Sequence, residues 1–226
     1  MQLKTSDYEI IRGLDVNEHK VTCDFSRWEK AFKDSEELQE RLRTVRNELG
    51  EKFGRDDIVR FYKSKEIELD TKFLSAMIWG YEAPAGSRRD HRGPSRVKIM
   101  MESKARKDVL SNVEISNDTA IHKSFREMDK NINKCGSSFL TKHLYFLGKA
   151  IKGKEYPLIF DDRVALGSVK YSLGSETCLN FVSVHALRKG KAYIKYLEYA
   201  REQAKLIRCE LDHIEYFLFV IGGSGA

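Results

Sequence analysis

Two charged residues, each in a distinctive local sequence, could carry chemistry in this chain. Lys142 ends the segment 136–142 (GSSFLTK), and Asp161 follows the apolar run 158–160 (LIF), 19 residues after the lysine. A lysine amine can act as a nucleophile that forms a Schiff base, and a fixed carboxylate can stabilise positive charge in a transition state. Plainer interpretations stay open: Lys142 as a surface lysine that contacts phosphate, and Asp161 as the cap of a helix that begins at Asp162.

The hydrophobic pattern predicts that helices position both residues. Apolar side chains recur at intervals of three or four along most of the chain, and convincing alternating strands are scarce. We therefore predict an all-α, mainly helical fold, with seams at the loop 84–94 and near Gly153. Helices are predicted over residues 34–49, 71–79, 96–110, 118–129, 137–151, 193–208 and 211–220, with a further helix from Asp162.

Positive charge is concentrated in two segments. The chain carries a formal net charge of +6, and segment 123–154 alone has eight basic and two acidic residues. Segment 84–108 has eight basic and three acidic residues. Charge this uneven indicates a face that meets phosphates, although solvated lysines on the outer faces of helices would give the same count.

Spacing and composition exclude several other kinds of site. The chain has four cysteines, and no two are close enough for a Cys-x-x-Cys motif, so we interpret them as reduced thiols in a cytoplasmic protein. His143 and His213 have no ligand partners at metal spacing, so we predict no metal and no cofactor. The longest apolar run, 216–221, is too short to span a bilayer, and the N-terminus has no apolar stretch for a secretory signal.

The segments around Lys142 and Asp161 resemble the helix-hairpin-helix DNA glycosylases, most closely the bacterial proteins with an 8-oxoguanine glycosylase fold. In that superfamily a lysine opens the helix after the hairpin, and an aspartate follows at the N-terminus of the next helix. Lys142 matches that lysine and Asp161 matches that aspartate. The usual hairpin reads Leu-Pro-Gly-Val-Gly-x-Lys, whereas segment 135–142 has one glycine, with the lysine six residues after it.

The resemblance continues upstream of the hairpin. Segments 76–81 (AMIWGY) and 93–97 (GPSRV) resemble the first core helix of that group and the loop after it. The similarity thus extends from about Phe73 to Tyr216. We divide the chain into an N-terminal helical region of uncertain role, 1–70, and a glycosylase-like helical domain, 71–226.

The resemblance implies an active-site cleft between two helical subdomains and an enzyme, a DNA N-glycosylase, that acts as a monomer on double-stranded DNA containing a modified base. The base would be flipped out of the duplex. Asp161 would stabilise the cationic sugar, Lys142 would attack C1′ and allow strand cleavage by β-elimination, and Phe146, one turn after Lys142, would be a wall of the base pocket. Trp79 and Phe219 are interpreted as core residues. The residues expected to contact DNA are Gly136, Ser137, Ser138, Arg88, Arg89, Arg92 and Arg163.

Three alternatives remain beside a repair glycosylase with lyase activity. A relative of this kind could remove phage-type modified bases and act in antiviral defence. It could also be a non-catalytic DNA-binding protein that kept the scaffold, which an intact Lys142 and Asp161 argue against. The third is a helical protein-interaction module with incidental basic faces, which a salt-dependent affinity for DNA would argue against.

Overall fold

A computed structural model describes residues 3–81, 92–152, 155–171 and 186–223 of the 226-residue chain, with only the backbone described for 152 and 186–188. Arg88 and Arg89, two of the residues expected to contact DNA, lie outside the described residues. No helix among the described ones is both long and apolar enough to cross a lipid bilayer.

The described chain is built from helices, and its two short strands form one antiparallel pair. A 3-10 turn at Thr5–Asp7 precedes the first helix. The strands are β1 (Val21–Thr22) and β2 (Lys52–Phe53), in which Val21 pairs with Phe53. The helices are α1 (Tyr8–Arg12), α2 (Phe25–Ala31), α3 (Glu36–Leu49), α4 (Arg55–Lys63), α5 (Leu69–Tyr81), α6 (Gly93–Met101), α7 (Arg106–Ser111), α8 (Asp118–Asn131), α9 (Ser137–Lys152), α10 (Asp162–Tyr171), α11 (Ala186–Ile207) and α12 (Leu211–Gly223).

Side-chain caps fix where two of the predicted helices begin. The Ser35 hydroxyl accepts the N–H of Leu38 at the start of α3, and the Asn117 side chain accepts the N–H of Ala120 at the start of α8. Each cap satisfies one backbone donor that the first helical turn leaves without a partner. The all-α prediction is confirmed.

One predicted helix is wrong. The pattern over 96–110 predicts a single helix, whereas the chain forms α6 and α7 with a break between Met101 and Arg106. At the break the buried Ser103 hydroxyl accepts the N–H of Asn133. Arg106 then forms a buried ion pair with Asp70, at 2.9 Å, which directs α7 toward α5. These long-range contacts override a continuous helical periodicity.

Helix α9 packs against three other helices. They are α4, α5 and α8, the helix that precedes it in the chain. The buried apolar cluster extends from Leu3 to Leu218 and includes side chains from both sides of residue 70. The division into domains at residue 70 stays a prediction, but helices of the N-terminal region contribute directly to the core around α9.

Helices α10 and α12 touch backbone to backbone. A Cβ on Gly167 would lie 1.9 Å from the carbonyl oxygen of Leu218, and a Cβ on Gly222 would lie 1.9 Å from that of Arg163. No side chain fits at either position, so the two glycines allow the helices to meet. This contact fixes the N-terminal end of α10, where Asp161 lies, against the last helix of the chain.

Candidate active site

Lys142 is held inside the protein by its own helix and by α5. Lys142 is 4% exposed, and its Nζ donates to the backbone carbonyl of Ser138 at 2.9 Å. The aliphatic stem crosses α5 at Gly80, where a Cβ would lie 2.9 Å from Lys142 Cδ. A glycine at this point of α5 therefore makes room for the lysine.

The second partner of Lys142 Nζ is the carboxylate of Asp161. Nζ donates to Oδ2 at 3.0 Å, and the lysine and aspartate side chains are 5% and 16% exposed. The other carboxylate oxygen, Oδ1, accepts the backbone N–H groups of Arg163 and Val164, both at 3.1 Å. Asp161 thus caps α10 with one oxygen and pairs with Lys142 through the other. This geometry is compatible with both sequence interpretations of Asp161, as a helix cap and as a fixed carboxylate that would stabilise positive charge.

The extended segment before Asp161 is anchored by hydroxyl groups. Tyr193 and Tyr196 of α11 donate to the carbonyl oxygens of Leu158 and Ile159, at 2.6 and 3.1 Å. On the other side, the N–H of Phe160 donates to the Thr141 hydroxyl at 3.0 Å. Because Thr141 precedes Lys142 on α9, this bond places the chain directly beside the lysine. The distance between Lys142 Nζ and the Asp161 carboxylate therefore depends on α9, on α11 and on the extended segment before Asp161, which lie apart in the sequence.

The ion pair keeps Asp161 charged. Burial on its own would raise the pKa of this carboxyl group. The Lys142 ammonium, its hydrogen bond and the N–H of Val164 outweigh burial, and the pKa of Asp161 lies below its ordinary value. A carboxylate that is fixed, partly dehydrated and ionised suits the stabilisation of a cationic transition state.

Sequence reasoning missed an aromatic cluster beside this pair. His19, Trp79 and Phe219 form it, with the imidazole centroid 5.3 Å from the Trp79 ring and 5.1 Å from the Phe219 ring. Phe219 is half-buried, and the Arg163 guanidinium lies 5.0 Å from its centroid. The aromatic cluster thus connects the N-terminal region with α5 and α12. His19 lies close enough to the pair for its pKa to be raised by the Asp161 charge and lowered by the Lys142 charge.

A second group that sequence reasoning missed is the buried ion pair of Arg55 and Glu215. Both oxygens of Glu215 accept from the guanidinium, at 2.5 and 3.1 Å, and the side chains are 1% and 0% exposed. The guanidinium also lies 5.3–5.6 Å from the rings of Trp79, Tyr145 and Tyr216. Arg55 therefore supports the inner side of the aromatic cluster, and its charge helps to lower the pKa of Asp161.

The remaining predicted site residues are Phe146, expected in the base pocket, and the residues expected to contact DNA. Phe146 is fully buried and meets Trp79 edge-on, with centroids 5.5 Å apart, so it lies behind the aromatic cluster as a support.

The half-buried Gly136, Ser137 and Ser138 surround the N-terminus of α9, at the turn that follows α8. Arg92 is exposed at the start of α6, and the residue Arg163 is exposed near Asp161. Lys134, in this turn, has a φ of 63°.

No metal site competes with this interpretation in the described ranges. They contain no group of three or more His, Cys, Asp or Glu side chains that could hold an ion.

Comparison with known proteins identifies the family of the chain. No curated protein and no solved structure matches it. One family model does, described as "Putative 8-oxoguanine DNA glycosylase OGG-like protein", over residues 14–219. The match takes in Lys142 and Asp161 and also most of the N-terminal region, including His19 and Arg55. With nearly the whole length matched, the chain belongs to this family of OGG-like DNA glycosylases.

Proposed function

We propose that the protein is a DNA glycosylase that excises a modified base flipped out of duplex DNA, and that it also acts as an abasic-site lyase through Lys142. The observation that carries the proposal is the Lys142–Asp161 pair, at 3.0 Å, beside the aromatic cluster. Family membership supports the glycosylase activity.

In the first step the bond between C1′ of the sugar and the base nitrogen breaks. Its electron pair leaves with the base, which takes up a proton, and positive charge develops on the sugar. The Asp161 carboxylate stabilises that charge, because two backbone N–H groups and Lys142 hold it ionised in place. Loss of one such electrostatic group typically lowers a rate by ~10²–10³.

In the second step Lys142 forms a bond to C1′. The ammonium group first gives up a proton, either to the departing base or to water, so that the neutral amine can attack. The sugar ring opens to a Schiff base, and loss of a proton from C2′ then expels the 3′ phosphate by β-elimination. Lys142 is buried and its nitrogen is already directed at Asp161, so the amine needs little reorientation to reach a sugar stabilised by that carboxylate.

The turn between α8 and α9 supports binding of the DNA backbone. The N-terminus of α9 offers backbone N–H groups and the positive end of a helix dipole to a phosphate, next to the exposed Lys134. Gly136, Ser137 and Ser138 would supply these contacts, with Arg88, Arg89, Arg92 and Arg163 as further contacts on the same duplex. The chain would do this as a monomer.

Borohydride trapping tests the proposal. The protein is incubated with duplexes that carry oxidised, alkylated or phage-type modified bases and with an abasic duplex, and reduction then fixes any Schiff base. We expect a covalent adduct that Lys142→Gln abolishes and Lys149→Gln keeps. Lys149 is the matched control because its substitution also removes an ion pair of α9, the one with Asp212.

Two other outcomes would separate the alternatives. Base release without an adduct would show a monofunctional enzyme that activates water, which refutes the lyase part alone. A preference for phage-type bases over oxidised ones would favour a role in defence. If the protein neither releases a base nor traps an abasic site, although it binds DNA, the non-catalytic alternative is correct.

A further inference from the structure

The small sheet of the N-terminal region has a structural consequence for the site. His19 lies two residues before Val21, which pairs with Phe53, and Arg55 follows Phe53 by two residues. Gly54 packs on the same stretch, since a Cβ there would lie 3.4 Å from the carbonyl oxygen of His19. Pairing of β1 with β2 therefore holds the imidazole at the start of α4, near Arg55 and against Trp79.

One buried ring nitrogen of the aromatic cluster, that of Trp79, has no partner, and neither ring nitrogen of the half-buried His19 has one among the described residues. Trp79 is 5% exposed, and its Nε1–H has no hydrogen-bond acceptor among the described residues. The contacts of the half-buried His19 within the described part of the chain are aromatic, with no hydrogen bond to either ring nitrogen. Since buried polar groups are nearly always satisfied, the Trp79 N–H and the neighbouring, half-buried His19 imidazole mark a position beside the Lys142–Asp161 pair where a bound ligand would supply the missing partners.

The charges around His19 constrain that ligand. Burial, followed by Arg55 and Arg163, lowers the pKa of His19 to about 4, so the imidazole is neutral at physiological pH. A neutral imidazole offers one donor and one acceptor. The same surroundings contain three cationic side chains. Glu215 pairs with Arg55 and Asp161 pairs with Lys142, which leaves Arg163 as the cation without an acidic partner among the described residues. A positively charged base would meet an unfavourable field at this position.

We propose that His19 determines base specificity: together with the Trp79 N–H, it hydrogen-bonds the edge of an uncharged modified base and so disfavours cationic, alkylated bases. This inference rests on the proposed function, because it concerns how the same site selects its base. It also gives the N-terminal region a role, which is to complete the base pocket of the helical domain.

The test compares two substrates on one variant. His19→Phe keeps a planar ring between Trp79 and Phe219 but removes both ring nitrogens, whereas His19→Gln restores a neutral donor and acceptor. Each protein is assayed for release of 8-oxoguanine, of 7-methylguanine, which is cationic, and of uncharged phage-type bases. Each is also assayed for borohydride trapping on an abasic duplex, which has no base to recognise and so reports the lyase step without base recognition.

We expect the native protein to prefer an uncharged base. His19→Phe should lower kcat/KM for that base by about 10- to 100-fold, the usual effect of leaving a recognition hydrogen bond unmade. His19→Gln should recover part of the loss, and for both variants trapping on the abasic duplex should change much less than base release. Recovery by the polar variant would not occur if His19 only packed against its neighbours.

Three results would overturn the inference. They are native kcat/KM in His19→Phe, a native protein that prefers 7-methylguanine, and a native protein that shows no preference among bases. A variant that loses base release and abasic trapping together would show a structural role instead. If the native protein carries out neither reaction, the proposed function fails and this inference fails with it.

Discussion

Gly80 of α5 leaves open the space through which the side chain of Lys142 passes. A Cβ on Gly80 would lie 2.9 Å from Cδ and 3.2 Å from Cε of the lysine, and 3.0 Å from the Phe139 ring. The absence of one side chain on α5 thus sets the path of the side chain that reaches Asp161. Trp79, the residue before this glycine, belongs to the aromatic cluster, so one turn of α5 shapes both halves of the site.

Gly80→Ala should disturb the position of Lys142 and weaken its ion pair. Alanine has a higher helix propensity than glycine by roughly 0.5–1 kcal/mol, but the new methyl group would press on the buried Lys142 and Phe139 side chains and weaken the ion pair with Asp161, so we expect the free energy of unfolding to fall. The added methyl group should displace the lysine stem and move Nζ away from Asp161, which should lower the yield of borohydride-trapped adduct at least tenfold. Urea denaturation and trapping on an abasic duplex measure the two effects.

Gly13→Ala is the control for that substitution. A Cβ on Gly13 meets only ordinary contacts, the nearest 3.4 Å away at the carbonyl oxygen of Glu9, and we expect native trapping. Unchanged trapping in Gly80→Ala would show that the position of the lysine stem does not limit the reaction.

Binding to DNA should depend on salt through the basic segments. Replacing Arg88, Arg89 and Arg92 with Ala should weaken binding to any duplex and reduce the slope of log K against log salt by up to about three. Filter binding at salt concentrations from about 50 to about 200 mM measures the slope. Equal slopes for the native and triple-variant proteins would place these arginines away from the interface.

How much of this site the sequence could reveal depends on how far apart its parts lie along the chain. Periodicity and caps identify α3, α8 and α9 because those signals are local. The positions of Lys142 and Asp161 are indicated by the resemblance, and their contact at 3.0 Å follows from packing that only the structure shows. The break at Ser103 was missed because its cause is a hydrogen bond to Asn133, 30 residues away.

The N-terminal contribution was missed for a similar reason. Arg55 and Glu215 are 160 residues apart, and neither belongs to a motif. One signal was present, because Glu215 lies within an apolar stretch of α12, and a carboxylate among apolar residues requires a buried partner. That pattern indicates a cation without identifying which one. For His19 there was no comparable signal, because a single histidine in a polar loop is unremarkable.

The charge of Asp161 should make a contribution to stability that depends on pH. Its pKa is lowered in the folded protein, so the carboxylate stabilises the fold above the pKa of the unfolded chain. The contribution should disappear as the pH falls through the folded pKa, because both states are then protonated. The native protein should therefore exceed Asp161→Asn in free energy of unfolding at pH 7, and the difference should shrink below the ordinary aspartate range. Denaturant titrations across the acid range measure it, and a difference that grows toward low pH would contradict the lowered pKa.

Asp161→Asn offers the sharpest test of the chemistry. Asparagine has nearly the same size as aspartate and caps helices about as well, so its side-chain oxygen can still accept the N–H groups of Arg163 and Val164. The folded structure and the affinity for DNA should therefore be retained at pH 7 despite the lower free energy of unfolding, while loss of the charge should slow base release by ~10²–10³.

Asp162→Asn is the matched control for this substitution. Asp162 is the next residue, is exposed, and lies in the first turn of α10, so the variant loses the same charge at nearly the same place. It lacks the contact with Lys142, and we expect near-native release in a single-turnover assay on a duplex that the native protein processes. The reverse pattern, with Asp162 essential and Asp161 dispensable, would assign the catalytic carboxylate to the neighbouring residue. If neither substitution slows release, a carboxylate at the start of α10 takes no part in the reaction, and the mechanism built on the Lys142–Asp161 pair is wrong.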